Sequence, residues 1–153
     1  MVVDASALDW LEPDSAPAPA VRVITPHPGE AGRLLGVSAK EVQADRVAAL
    51  RRLSRRFGHC YVVLKGHHTL VGRADGPVFI NGSGNPLLAQ GGSGDLLGGY
   101  LAGLLAQPAC QKEPLTAIRF GVWQHGAAAD ENLQWRRNVT VEDMALDLGS
   151  AGT

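Results

Sequence analysis

The chain has 153 residues, 45% of them hydrophobic and 19% charged, with a net charge of −1 and a pI near 6.5. That is one domain's length with enough apolar material for a core, and the near-neutral balance gives no footprint for nucleic acid or an anionic membrane surface. Two cysteines without CxxC spacing, Cys60 and Cys110, exclude a disulfide framework and a cysteine-built zinc site; no apolar run of about 18 residues marks a membrane span, and Met1-Val2-Val3-Asp4 does not open a signal peptide. A single domain over residues 1–153 in a reducing cytoplasm is expected, with neither nucleic acid nor membrane as partner.

In chain order, Met1–Val3 is short and apolar, Asp4–Leu11 reads as a brief helix, and Glu12–Ala20 as a Pro/Ala-rich loop, so the chain is expected to begin inside an architecture. Val21–Ile24 is a β-branched run ended by Thr25-Pro26-His27-Pro28-Gly29, a strand followed by a rigid turn. A helix opens near Glu30, with Ala31, Leu34 and Leu35 as its apolar side, and stops at Gly36. Ser38 then caps one longer helix, Ala39–Phe57, in which Val42, Val47, Leu50 and Leu53 recur at helical spacing. Five arginines between Arg46 and Arg56 read as its solvated face.

Gly58-His59 breaks that helix, and Tyr61–Leu64 is a continuous apolar run typical of a strand covered on both faces. Thr69–Gly72 and Pro77–Asn81, around Asp75-Gly76, read as a hairpin. Leu96–Ala106 is a largely apolar helix whose Gly98, Gly99 and Gly103 are expected to permit close packing. Helical patterns follow at Leu115–Asp130 and Val141–Leu148, with polar Asn132–Asn138 between them. Alternating strands and helices with apolar strands predict an α/β layered sheet, whose ligands bind at the carboxyl ends of the strands.

The unusual residues fall at those ends. Gly91-Gly92-Ser93-Gly94-Asp95 opens a helix with three glycines and a serine, a pattern that lets backbone N–H groups approach phosphate oxygens at the positive end of a helix dipole. A carboxylate repels phosphate, so Asp95 there fits a proton acceptor; the plainer alternative is a Gly-rich turn with Asp95 as helix N-cap. Lys65, with Gly66 behind it, ends a buried strand and suits a phosphate as a point charge; the plainer alternative is a surface lysine. His27, held between two prolines, is either a substrate contact or a turn histidine without a role. No metal ligands are assigned: His67 and His68, if in a strand, point to opposite faces. Asn85 and Gln90 either orient the glycine loop or are solvated, and His125 reads as a packed histidine.

Val2-Val3-Asp4-Ala5-Ser6-Ala7-Leu8, Thr25-Pro26-His27-Pro28-Gly29-Glu30, Val62-Val63-Leu64-Lys65-Gly66, Gly84-Asn85-Pro86 and Gly91-Gly92-Ser93-Gly94-Asp95 together resemble, in order and spacing, the C-terminal part of the ADP/ATP-dependent NAD(P)H-hydrate dehydratases of the ribokinase-like superfamily. The resemblance implies a ribokinase-like layered αβα sandwich lacking its N-terminal portion. It implies repair of NAD(P)H hydrate, whose ring hydroxyl is phosphorylated by ADP or ATP with Mg2+ and leaves as phosphate. Carried over by position, Asp95 is the catalytic carboxylate and contacts the hydrate; His27 belongs to the substrate site; Lys65, Gly66, His67, His68, Thr69, Gly91, Gly92, Ser93 and Gly94 line the nucleotide site. The chain departs from the family at His67-His68, where small residues are usual, at Gln90, where threonine is common, and at Ser93, which replaces the commoner threonine. A small-molecule kinase of the same superfamily and a non-catalytic nucleotide-binding remnant are the alternatives. Loss of the first strands would expose a sheet edge, so self-association into a homo-oligomer is expected.

Overall fold

The computed structural model describes residues 1–13, 21–135 and 139–150. Most of the Pro/Ala-rich loop and the end of the polar segment expected before the last helix lie outside the described residues. The chain divides into two compact units, Met1–Ile80 and Asn81–Thr153.

The first unit is built on a five-stranded mixed sheet in the order β1-β2-β3-β4-β5, with β1 Val2–Val3, β2 Val23–Ile24, β3 Tyr61–Leu64, β4 Leu70–Gly72 and β5 Phe79–Ile80. β1, β2 and β3 run parallel, whereas β3, β4 and β5 pair antiparallel through the hairpin. β2 is shorter than the β-branched run suggests. A 3₁₀ helix over Ala5–Trp10 follows β1.

Helix α1 spans Pro28–Leu35 and ends at Gly36, whose φ of +68° suits a residue without Cβ. The single helix expected over 39–57 is two, α2 Ala39–Ala44 and α3 Arg46–Arg56. Asp45 divides them because its side chain accepts the Ala48 N–H at 2.8 Å, a fresh N-cap inside an otherwise helical pattern. Leu50, Leu53 and Phe57 from this segment pack with Ile24, Val62 and Leu64 in one fully buried cluster, each such side chain contributing about 1.5–3 kcal/mol on leaving water.

Two of the arginines assigned to a solvated face are structural. Arg51 donates to the carbonyls of Ala74 at 2.6 Å and Gly76 at 3.1 Å, fastening the hairpin to α3. Arg46 does the same for the bend after β3.

The second unit is helical: a 3₁₀ turn over Pro86–Ala89, then α4 Ser93–Ala106, α5 Pro108–Lys112, α6 Pro114–Trp135 and α7 Val141–Asp147. Helix α5 has no counterpart in the apolar periodicity; Pro108 at its first turn starts it. Helix α6 runs on through Asn132, whose amide donates to Asp147 of α7 at 2.7 Å instead of lying in a polar linker. α4 buries Leu97, Leu101 and Leu105 along the face toward α6. Two of the three glycines expected to permit close packing do not do so: a Cβ at Gly99 or Gly103 would meet open space. One at Gly121 would lie 2.7 Å from Leu101, and one at Gly126 would lie 2.7 Å from the Ser83 backbone.

Candidate functional site

The first unit gathers the carboxyl ends of its three parallel strands. Beyond β2, the Pro26 carbonyl accepts the Lys65 N–H at 2.9 Å, which puts the His27 turn directly beside the end of β3. Beyond β1, the Asp4 carboxylate receives the Lys65 ammonium at 2.8 Å, both side chains being mostly buried. The ammonium read from sequence as a free phosphate grip therefore has an anionic partner in this unit. Asp4 is the residue that sequence reasoning missed; its place after β1 in the Val2-Val3-Asp4 run was the available signal.

His27 is the N-cap of α1. Its Nδ1 accepts the N–H groups of Gly29 at 3.0 Å and Glu30 at 3.2 Å, and Glu30 reaches back to accept the His27 N–H at 2.7 Å. This reciprocal box fixes the ring through Nδ1, while half the side chain stays open to solvent. Neither alternative drawn from sequence included that capping role.

After β3 the chain bends through Gly66, at φ +138°, and His68, at φ +56°. The Arg46 guanidinium braces this bend, donating to the carbonyls of His67 at 2.6 Å, His68 at 3.2 Å, Leu64 at 3.0 Å and Lys65 at 3.4 Å. Thr69 Oγ1 closes the turn onto Gly66 O at 3.1 Å. His67 and His68 lie in the exposed turn, not in a strand, with ring centroids 3.9 Å apart. They therefore do not face opposite sides of a sheet. Among the described residues, no group of three or more His, Cys, Asp or Glu side chains is arranged to hold a metal ion.

The second unit carries the glycine loop. Gly92, at φ +87°, is the N-cap of α4, with no side-chain hydrogen bond to the first turn. The first bond of the helical ladder runs from Leu96 N–H to Gly92 O at 2.9 Å, so the N–H groups of Gly94 and Asp95 precede the ladder and have no carbonyl within the helix to meet. Gly91 and Gly92 are exposed, and a Cβ at Gly91 would meet open space. Asp95 is the third residue of α4 and exposed; it is not the N-cap, which corrects the plainer reading of the sequence.

Ser93 is buried, with Oγ 3.5 Å from Nε2 of buried His125. Asn85 and Gln90 are ordered: Asn85 Oδ1 accepts the Leu87 N–H at 2.9 Å, its Nδ2 donates to Asp130 at 3.0 Å, and Gln90 Nε2 donates to Leu87 O at 3.0 Å.

An uncapped, glycine-flanked helix start fits a phosphate group, since its amides supply donors and its dipole the favourable potential. Mg2+ fits as an ion carried largely by phosphate oxygens and water, because such sites need only one or two protein carboxylates.

The family profile described as NAD(P)H-hydrate dehydratase matches residues 1–149. The ADP-dependent (S)-NAD(P)H-hydrate dehydratase of Neisseria meningitidis is 48% identical over 135 residues, covering 85% of this chain and 44% of that protein. The bifunctional NAD(P)H-hydrate repair enzyme Nnr of Vibrio cholerae is 49% identical over 133 residues, covering 86% of this chain and 25% of that protein. The crystal structure of the Bacillus subtilis ADP/ATP-dependent NAD(P)H-hydrate dehydratase, co-crystallised with ATP/Mg2+, superposes with a TM-score of 0.84 at 30% identity, covering 97% of this chain and 52% of that one. The chain thus spans about half the length of the single-function relatives or less.

Proposed function

Because the chain belongs to the NAD(P)H-hydrate dehydratase family, we propose that it takes part in converting hydrated NADH or NADPH back to the reduced cofactor at the expense of ADP or ATP. The observation that carries this reading is the exposed Asp95 carboxylate in the first turn of α4, beside N–H groups that no side chain caps. Hydroxide is a poor leaving group, so the ring hydroxyl has to be converted before it departs. Asp95 accepts the hydroxyl proton as the oxygen bonds to the terminal phosphorus of the nucleotide, and the remaining nucleotide leaves. The ring-nitrogen lone pair then expels phosphate, and loss of a proton from the neighbouring carbon restores the ring double bond.

General-base help of this kind is worth about 10²–10⁴-fold. In the second unit the amides of Gly94 and Asp95 and the glycine loop hold phosphate oxygens; in the first, the Lys65–Thr69 bend is proposed for nucleotide contacts and the His27 turn for substrate contacts. Mg2+, if bound with the nucleotide, would supply neutralisation of the charge developing on the phosphates. On the same reading the protein is a homo-oligomer that works in the cytoplasm on small-molecule substrates.

The test is to incubate the protein with Mg2+, ADP or ATP, and hydrated NADH or NADPH, and to follow the near-ultraviolet absorbance of the dihydronicotinamide. Absorbance that returns only when nucleotide is present supports the reading. A folded protein that returns none with either nucleotide overturns it for this chain.

A further inference from the structure

The segment from Ser83 to Ser93, which delivers the glycine loop and Asp95, is tied to α6 at both ends. Ser83 Oγ donates to the Trp123 carbonyl at 2.7 Å, and Gly126 lies against Ser83 so closely that a Cβ there would fall 2.8 Å from the Ser83 carbonyl oxygen. The Asp130 carboxylate accepts the Gly84 N–H at 2.8 Å and the Asn85 Nδ2–H at 3.0 Å, one with each oxygen. Positions 123, 126 and 130 are spaced to share one face of a helix, so residues 83–85 run along that face. At the far end His125 meets Ser93.

Between the two anchors, Asn85 holds the 3₁₀ turn through Leu87, whose carbonyl accepts the Gln90 amide. The glycines Gly91 and Gly92 follow, exposed. A segment held at both ends, with one short 3₁₀ turn and two glycines between, has its geometry set by the anchors.

We propose that Asp130, acting with Asn85, is a positioning residue for the catalytic loop: the paired acceptors of its carboxylate fix the start of the segment whose far end presents Asp95. The inference rests on the function proposed above for Asp95, though the bracket itself is testable without it. The pair has a property that a merely space-filling contact lacks. Asp130→Asn turns one acceptor into a donor facing a donor. In the exchanged double variant Asn85→Asp/Asp130→Asn, the amide introduced at 130 donates to the carboxylate introduced at 85 and still accepts the Gly84 N–H. The second oxygen at 85 still accepts from Leu87.

The experiment measures amide hydrogen exchange over residues 84–95 and turnover of hydrated NADH with ADP and ATP, in the wild type, Asp130→Asn and the double variant, all shown folded by circular dichroism. Faster exchange confined to 84–95 is expected for Asp130→Asn, with kcat lower by about 10²-fold, as for other displaced catalytic groups, KM for nucleotide raised because the same segment carries the phosphate-holding amides, and all three readouts restored in the double variant. Wild-type exchange over 84–95 in Asp130→Asn overturns the bracket. Altered exchange with wild-type kcat, or no rescue by the double variant, overturns the positioning role. A wild type that does not turn over contradicts the proposed function, and the exchange arm then decides the bracket by itself.

Discussion

Arg46→Met removes the guanidinium that gathers four carbonyls at the end of β3 while keeping the aliphatic stem. Its two shorter contacts, 2.6 Å from Nη1 to His67 O and 3.0 Å from Nη2 to Leu64 O, are charge-assisted hydrogen bonds worth about 1.5–3 kcal/mol each. The group is only half-buried, and burial lowers its pKa; water takes over part of what is lost, and the expected cost falls to about 2–3 kcal/mol. In urea unfolding followed by far-ultraviolet circular dichroism, that cost moves the midpoint down by about 1 M with m unchanged. Arg46→Lys separates charge from geometry: an ammonium is a point donor and cannot span both rows of carbonyls, so lysine should recover less than half the loss. Wild-type stability in Arg46→Lys, or a change below about 0.5 kcal/mol in Arg46→Met, would refute the claim that the guanidinium fork holds the bend.

Three more outcomes follow from local contacts. Gly126→Ala should destabilise by about 1–3 kcal/mol because its Cβ meets Ser83 backbone, whereas Gly99→Ala, facing open space, should stabilise by about 0.5–1 kcal/mol; paired thermal melts check both. Hydrogen bonds from the Ser38 backbone and side chain hold Glu41 below its ordinary pKa of 4.5. Its contribution is therefore present above that value and lost as pH falls through the lower folded value, so Glu41→Gln should flatten the acid limb of a stability–pH profile. Burial pushes the Cys60 thiol up to about 12, so under native conditions at mildly alkaline pH a thiol reagent should label Cys110 and spare Cys60 until the protein unfolds.

The strands and helix starts that rest on local pattern were legible in the chain. Tyr61–Leu64 is a strand because four apolar residues between Gly58-His59 and Lys65-Gly66 admit little else, and Gly36 stops α1 at φ +68°, a conformation that favours a residue without Cβ. Illegible were features fixed by partners distant in sequence. Asp45 looks like one more polar residue of a long helix until its carboxylate is seen on Ala48. Arg46 and Arg51 look like solvated charge until the strand-end carbonyls come within reach. Lys65 looks free until Asp4, 61 residues earlier, closes on it.

The same limit divides the candidate site. Glycines 91 and 92 and Asp95 announce an open helix start by composition alone, and the coordinates give that start with Gly92 as the cap. His27 announced only rigidity, because histidine is an unusual N-cap and the box it forms with Glu30 does not match the usual Ser/Thr signature. Gly99 and Gly103 misled for a related reason: helical glycines mark close approach only where another segment lies against them, as Leu101 of α4 does at Gly121 and the Ser83 backbone does at Gly126.

Asp95→Asn keeps the side chain's shape and removes its capacity to take a proton. With hydrated NADH or NADPH, Mg2+ and saturating ADP or ATP, the variant should lose at least about 10²-fold in turnover while ADP and ATP still raise its melting temperature as they do for the wild type. Turnover at the wild-type rate in Asp95→Asn would contradict the assignment.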